Sequence, residues 1–285
     1  MTRRVEGNLP FRWDVRRDQL GSLLEGVSRP DLWFASDLTV CAARIVARSG
    51  DGDLCFVGRS LDSAFDLLSG ALSETTWSGR LVQLPFSMFS DKAGELARND
   101  AEQLRANLAS LGISPADLTR GRRPLVFVDL VAHGRTFTNL YLILRAWIDE
   151  ERVQWDVART KLRFVGVTLR QKTSPKTWRW QQAVPWASDL PAGAIKNISL
   201  APAVWRHLGN DQPKITQSHT VRRWSADWLE TPPRDAVARS ALAEAFELFE
   251  FGRSRNGRTA LARAMSREHA FREPWIRSLA LELRR

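Results

Sequence analysis

The run Pro124–Asp129, which reads Pro-Leu-Val-Phe-Val-Asp, places the strongest constraint on the fold. A short and continuous apolar run of this kind predicts a strand that is buried on both faces, as in a parallel sheet. A polar loop over Ala132–Thr136 follows, and an apolar helix is predicted over Phe137–Ile148. A buried strand that leads through a short loop into a helix is the repeating step of an α/β fold.

The same alternation recurs along the first 170 residues. Additional strands are predicted at Leu54–Val57, Arg80–Phe86 and Leu162–Leu169. The spacing of apolar residues and the cap signals predict helices at Arg16–Val27, Ser36–Arg48, Ala64–Leu72 and Asp91–Leu111, and a further helix start at Ser114-Pro115. Together these elements predict an α/β protein with a parallel twisted sheet and helices on both of its faces.

Three regions differ in composition. Residues 1–170 contain the N-terminal helices and the predicted core. Residues 171–233 are rich in Trp, with frequent Pro, Gln and Ser and weak helical periodicity, which predicts an irregular flap. Residues 234–285 predict basic C-terminal helices at Asp235–Phe251 and Arg255–Leu283, with a break near Pro274.

Composition narrows the class of protein only in part. The net charge is +10, from 42 Lys and Arg against 32 Asp and Glu. That balance fits a nucleic-acid, anionic-membrane or polyphosphate partner, and it equally fits a solvated surface. No apolar run reaches the ~18 residues of a membrane span, and the N-terminus lacks a signal-like apolar stretch, so we expect a cytoplasmic protein without a membrane partner. Cys41 and Cys55 lack the spacing of a zinc site or a disulfide framework.

The loop after the central strand contains the residues that predict chemistry. Ligands of open α/β sheets bind at the carboxyl ends of the strands, which is where Asp129 lies. Backbone amides of the loop and of the following helix start favour an anion. Gly134 permits a close backbone approach, and Arg135 and Thr136 add a cation and a hydroxyl donor.

This segment resembles the type I phosphoribosyltransferase family. Its members have an apolar strand, two adjacent acids, two apolar residues and a loop that ends in a Thr-Gly-x-Thr type pattern. Asp129 matches the second acid, and Gly134 and Thr136 match the loop, whereas Val128 occupies the position of the first acid. The resemblance implies that Ala132, His133, Gly134, Arg135 and Thr136 bind the 5′-phosphate of phosphoribosyl pyrophosphate. It further implies that Asp129 holds the ribose near Mg²⁺.

A second loop extends the resemblance over roughly residues 35–170. The family places a pyrophosphate-binding loop after the first core strand, and Gly58, Arg59 and Ser60 occupy that place here. The implied activity is transfer of 5-phosphoribose to a nucleobase or another small acceptor, with release of pyrophosphate. His133 is the nearest titratable candidate for a catalytic base beside Asp129, and Trp178, Trp180 and Trp186 are candidates for stacking on the acceptor.

Two alternatives stay open. The chain is a phosphoribosyltransferase-fold regulator that binds its ligand without transfer, a hypothesis that Val128 in place of an acid favours. In that case the basic tail from Gly252 to Arg285, with nine Arg against three Glu, contacts nucleic acid; the tail otherwise fits a solvated helix face or a homodimer seam. A phosphate-ester hydrolase is less favoured because the sequence has no P-loop, no Gly-x-Gly-x-x-Gly and no Gly-x-Ser-x-Gly motif.

Overall fold

Five parallel strands form the centre of the molecule. The structure is a computed structural model that describes residue 7 and residues 9–88, 93–170, 179–224 and 233–285. The strands are β1 (Asp53–Val57), β2 (Leu81–Leu84), β3 (Leu125–Val131), β4 (Leu162–Leu169) and β5 (Ile195–Leu200). They lie in the order β2-β1-β3-β4-β5, and every neighbouring pair is parallel. The predicted α/β fold class is confirmed.

Twelve α-helices are found within the described residues. They are α1 (Arg17–Leu20), α2 (Ala35–Ser49), α3 (Asp62–Leu72), α4 (Arg98–Ser110), α5 (Pro115–Arg120), α6 (Arg135–Glu150), α7 (Trp155–Lys161), α8 (Pro202–Arg206), α9 (Val221–Trp224), α10 (Ala236–Arg253), α11 (Arg255–Met265) and α12 (Pro274–Glu282). Short 3₁₀ segments and one π-helical turn, His207–Asp211, connect them.

Alternation along the strands divides the core into two layers, because successive strand residues point to opposite faces. Val126 and Val128 pack into the layer that contains α2, α3, α10, α11 and α12. Phe127 and Val131 pack into the layer that contains α4, α5, α6 and α7. Both faces of the sheet are therefore covered by helices, as the apolar strand composition predicts.

The C-terminal helices belong to this core. Helices α3 and α10 approach so closely that a Cβ on Gly70 would lie 2.0 Å from the Phe249 carbonyl oxygen. A Cβ on Gly252 would lie 2.1 Å from the Leu67 carbonyl oxygen. Two facing glycines thus allow the backbones of the helices to touch, which places α10 over the first βα unit.

Several local predictions need correction. Helix α6 begins at Arg135 instead of Phe137, so Arg135 and Thr136 belong to its first turn. The helix predicted over Asp91–Leu111 is instead a 3₁₀ turn at Ala93–Glu95 followed by α4, and residues 91 and 92 lie outside the described residues. The segment 171–233, predicted to be irregular, forms β5 and α8 over residues 195–206. The sheet therefore has a fifth strand that the sequence pattern did not reveal.

The predicted helix at Arg16–Val27 is shorter than expected and consists of α1 and a 3₁₀ turn at Gly21–Leu24. The Ser114-Pro115 signal is confirmed, since the Ser114 hydroxyl accepts a bond from the Asp117 amide at 3.1 Å in a capping box. Among the helices of the described residues, none is both long and apolar enough to cross a membrane.

Candidate functional site

The candidate site lies at the carboxyl edge of the sheet, where the strand order changes direction. Strand β1 lies between β2 and β3, so the chain leaves β1 toward one side and later returns to β3 on the other side. Such a switch point leaves a crevice between the loops that follow the two strands, and ligands of open α/β sheets bind there. The two loops singled out in the sequence follow β1 and β3 and therefore meet at this crevice.

The crevice has two adjoining lobes. The larger is a cavity of about 470 Å³ between the loop after β1, the end of β3 and the segment 209–219. The smaller is a cavity of about 170 Å³ around the loop between β3 and α6. Both lobes are lined by Ser60, Asp129, Thr136, Gly209 and Asn210.

The predicted phosphate loop forms the wall of the smaller lobe. Ala132, His133, Gly134, Arg135 and Thr136 all line it. Helix α6 begins its hydrogen-bond ladder with the Thr138 amide, which donates to the Gly134 carbonyl at 2.9 Å. The amides at residues 135–137 precede that bond and lie at the positive end of a 16-residue helix dipole. This lobe thus combines an anion-favouring helix start with the Asp129 side chain.

Asp129 is the buried carboxyl group shared by the two lobes. Asp129 lies near the carboxyl end of β3 and lines both lobes, and the residue is only 6% exposed. Burial raises its pKa to about 8, although a hydrogen bond from the Leu130 amide to Oδ1 at 2.7 Å acts in the opposite direction. The carboxyl group is therefore mostly protonated at neutral pH.

Gly134 has a structural role that the sequence did not predict. Its φ of +76° is in the left-handed region, and a Cβ there would lie 2.3 Å from Cε3 of Trp180. The missing side chain makes room for an indole ring from a distant segment. The glycine is therefore required by packing, in addition to any backbone approach to a ligand.

Two of the three tryptophans predicted to stack on an acceptor, Trp180 and Trp186, are buried in the core. Trp180 is 1% exposed and Trp186 is 5% exposed, and both pack in the core beside Phe137 and Phe164. Their indole N–H groups donate to Asn197 Oδ1 at 2.7 Å and to Thr138 Oγ1 at 3.0 Å, respectively. These rings anchor the segment after β4 to the sheet, so the acceptor-stacking prediction is wrong for both. Trp178 lies outside the described residues.

The loop after β1 brings a cation to the larger lobe. Gly58, Arg59 and Ser60 all line it, as expected for a polyanion-binding loop. The Arg59 guanidinium donates to the Thr216 carbonyl at 2.6 Å, which ties this loop to the segment 209–219. Burial lowers the pKa of Arg59, a sign that water solvates its charge incompletely.

The segment 209–219 contributes two groups that the sequence analysis missed. Lys214 lines the larger lobe, and burial lowers its pKa to about 8. His219 is 6% exposed in the same wall, and burial together with Arg223 and Arg59 lowers its pKa to about 3, which keeps the imidazole neutral. The π-helical turn at His207–Asp211 opens this segment, a feature often found at functional sites. Residue spacing carried no signal for either group.

A buried polar network holds Lys214 in place. Its ammonium donates to Gln212 Oε1, and the Gln212 amide donates to Ser63 and Glu244. Arg12 pairs with Asp66 at 2.6 Å and with Asp62 at 3.3 Å, and these two carboxylates of α3 border the same small pocket as Gln212 and Lys214. This network connects α3 and α10 to the crevice and fixes the segment that covers the larger lobe.

The carboxylates supply no complete metal site. Within the part of the chain that the structure describes, no group of three or more His, Cys, Asp or Glu residues is arranged to hold a metal ion. Among the described residues that line both lobes, Asp129 supplies the carboxyl group. That arrangement fits a Mg²⁺ ion whose remaining ligands are substrate phosphates and water, as is common for this ion.

Val128, at the position where the family has its first acid, is fully buried in the layer that contains α2 and α3. Strand alternation directs it away from the crevice, so the crevice has one carboxyl group from β3 where the family pattern has two.

Comparisons of the chain with protein-family models, with curated proteins and with solved structures gave no match.

Proposed function

We propose that this protein is a phosphoribosyltransferase that binds phosphoribosyl pyrophosphate in the two-lobed crevice and transfers 5-phosphoribose to a small acceptor. The observation that carries the proposal is the shared lining of the two lobes. The loop after β1, with its cation, and the loop after β3, with its helix start and buried carboxyl group, border one continuous crevice at the switch point of the sheet.

Each lobe suits one end of this substrate. The smaller lobe, with the amides of residues 135–137, suits the 5′-phosphate. The larger lobe has Arg59 and Lys214 for the pyrophosphate. Asp129 lies where the lobes adjoin, which is where the ribose hydroxyls would lie in a substrate that spans both lobes.

In the proposed reaction, the bond between ribose C1 and the pyrophosphate oxygen breaks with its electron pair on the leaving group. A lone pair of the acceptor nitrogen or oxygen forms the new bond to C1, and the acceptor loses a proton. Cationic side chains beside the pyrophosphate stabilise the developing charge most where it is largest, in the transition state. The exposed His133, in the smaller lobe, is the candidate that takes up the acceptor proton.

Magnesium, when bound with the substrate, would neutralise charge on the pyrophosphate. Asp129 is the protein group that would contact it, with the substrate supplying further oxygens. The carboxyl group must ionise to do so or to accept hydrogen bonds from both ribose hydroxyls. Because its pKa is about 8 before a ligand binds, binding at pH 7 is expected to release close to one proton from Asp129.

Titration calorimetry with phosphoribosyl pyrophosphate and Mg²⁺ tests the proposal. We expect binding by the wild type, proton release that is measured from heats in buffers of different ionisation enthalpy, and loss of that release in Asp129→Asn. Arg59→Ala is expected to weaken affinity about tenfold or more, because it removes a charge-assisted contact. Unaltered affinity in Arg59→Ala, or no binding by the wild type, would contradict the proposal.

Matched controls come from the opposite edge of the sheet. Arg159→Ala and Asp156→Asn change the same residue types on the exposed surface of α7, where the two side chains pair at 2.9 Å. Both variants are expected to bind phosphoribosyl pyrophosphate as the wild type does. An equal loss in Arg159→Ala and Arg59→Ala would mean that the substrate responds to net charge and not to the crevice.

A ligand-binding regulator without transfer is the second candidate. The observation that favours it is the buried Val128, which leaves Asp129 without the first acid of the family pattern. Pyrophosphate release in the presence of candidate acceptors separates the two functions. Binding of phosphoribosyl pyrophosphate without release of pyrophosphate, over a broad set of acceptors, supports the regulator. The next measurement would then be the salt dependence of nucleic-acid binding by the basic tail. A cytoplasmic location stays a prediction from the sequence.

A further inference from the structure

A second cleft lies at the opposite, amino-terminal edge of the sheet. It is a cavity of about 360 Å³ between the end of α2, the start of β5 and the segment that leads into α12. Its volume falls within the range of small-molecule sites. No residue of the proposed phosphoribosyl pyrophosphate site lines it, so it calls for its own explanation.

Two cationic side chains, Lys196 and Arg48, line this amino-edge cleft, and Arg163 lies behind it, where it bonds Gly50 of the cleft wall. Arg163 and Lys196 are the second residues of β4 and β5, and both face the layer of α2 because strand residues alternate. Arg48, in the last turn of α2, lines the cleft beside Lys196. Burial lowers the pKa of all three groups, and Arg163 and Arg48 lower that of Lys196 further by repulsion.

The protein compensates only part of this charge. Arg163 donates to the carbonyls of Ser49 at 2.9 Å and Gly50 at 3.2 Å, which are neutral acceptors. The buried Nη1 of Arg48 has no hydrogen-bond partner among the described residues. The structure likewise gives Lys196 no ion pair within its described part. Partly desolvated cations are costly unless an anion or a set of hydrogen bonds accompanies them.

Two carboxylates lie nearby. Glu268 pairs with Arg44 at 3.1 Å and with Arg48 at 3.7 Å, and Glu273 lines the cleft. Arg48 and Lys196 balance these two carboxylates in the lining of the cleft. Arg44, which pairs with Glu268, and Arg163, which bonds Gly50, do not line the cleft and add two positive charges behind its wall. The Trp275 ring, which stacks on Trp77 at 5.6 Å between centroids, supplies an apolar wall.

We propose that the amino-edge cleft binds a small dianionic phosphomonoester, with its phosphate on Lys196 and Arg48 and its organic part against Trp275. A dianion matches the two positive charges behind the wall of the cleft, and Arg and Lys together suit phosphate oxygens. The inference goes beyond the proposed function, because the cleft lies at the other edge of the sheet and would accept a separate molecule.

Phenyl phosphate is the probe, since it joins a phosphomonoester to a flat ring. Calorimetry at constant ionic strength is expected to show at least tenfold weaker binding in Lys196→Gln than in the wild type. Lys161→Gln is the matched control, because Lys161 ends α7 and donates to the Arg122 carbonyl at 3.3 Å. Equal affinity in Lys196→Gln and the wild type would overturn the proposal.

A charge reversal separates ligand binding from a structural role. In Lys196→Glu the new carboxylate lies next to Arg48 and Arg163 and should take the place of the anion. We expect a higher Tm without ligand and no further rise with phenyl phosphate. A lower Tm together with a phenyl phosphate response as large as that of the wild type would refute the site.

Crystals soaked in tungstate, a phosphate-like dianion with strong anomalous scattering, locate the site directly. Density within hydrogen-bond distance of Lys196 and Arg48 supports the proposal, whereas density confined to the carboxyl-edge crevice overturns it. The carboxyl-edge and amino-edge binding proposals can be tested independently of each other. Arg59→Ala should impair phosphoribosyl pyrophosphate binding and leave the Lys196-dependent binding of phenyl phosphate unchanged, and Lys196→Gln should do the reverse.

Discussion

In the absence of ligand, Asp129→Asn is expected to be more stable than the wild type at alkaline pH. The substitution removes the ionisable group and keeps an oxygen that can accept the bond from the Leu130 amide, observed at 2.7 Å. Burial raises the pKa of the carboxyl group from 3.8 to about 8. In the unfolded chain the group ionises near pH 4, so the folded protein retains a proton that the unfolded chain has lost over the interval between these values.

The sign and size follow from proton linkage. The stabilising contribution of a group with a raised folded-state pKa is complete below the unfolded pKa and is lost as pH rises through the folded pKa. Between pH 4 and pH 8 the wild type should therefore lose up to about 1.4 kcal/mol per pH unit relative to Asp129→Asn. The accumulated difference at pH 8 is about 5 kcal/mol, and it should stay constant at higher pH.

Urea unfolding of both proteins at pH 5, 6, 7, 8 and 9 measures this difference. Asp156→Asn, on the exposed surface of α7, is the control, and its curve should run parallel to that of the wild type. Parallel curves for Asp129→Asn and the wild type across this range would refute the reasoning, because they would mean that the folded protein does not hold the Asp129 proton. Binding of phosphoribosyl pyrophosphate should reduce the difference, since the ligand favours the ionised form.

Two further predictions concern packing and buried charge. Gly134→Ala should destabilise the protein by about 2–4 kcal/mol, because it places a Cβ 2.3 Å from the Trp180 ring at a left-handed φ. Urea unfolding should show that the additional substitution Trp180→Leu recovers part of this loss. Strictly additive effects of the two substitutions would contradict the proposed clash. Arg12→Ala should cost about 3–5 kcal/mol at pH 8, because it leaves Asp66 buried without its partner at 2.6 Å. That cost should shrink in unfolding measurements below pH 6, the approximate pKa of Asp66, and a cost independent of pH would exclude the charge explanation.

Local patterns in the sequence were sufficient to predict the first four strands and most helices, in their order along the chain. Strands β1 and β3 each contain a continuous apolar run and β4 is mostly apolar, and strands of this composition are typically buried in a parallel sheet. The position of Asp129 at the carboxyl end of β3 follows from the same local reading. Because every strand of a parallel sheet has its carboxyl end at one edge, the meeting of the two candidate loops was predictable as well.

Strand β5 escaped prediction for a physical reason. It reads Ile-Lys-Asn-Ile-Ser-Leu and lies at the edge of the sheet, where only part of its surface is buried. A polar edge strand has no apolar run of its own, and its structure depends on pairing with β4. The contacts that make it a strand therefore appear only in the folded chain.

The sequence alone determined which residues border the crevice from β1 and β3, because those residues follow strands that are buried by their own composition. Only the tertiary structure decided that Trp180 and Trp186 fill the core, that Lys214 and His219 line the crevice, and that Asp129 holds a proton near neutral pH. Each of these properties depends on which distant segments exclude water from a group. Burial of that kind is a property of the packed chain and has no counterpart in residue order.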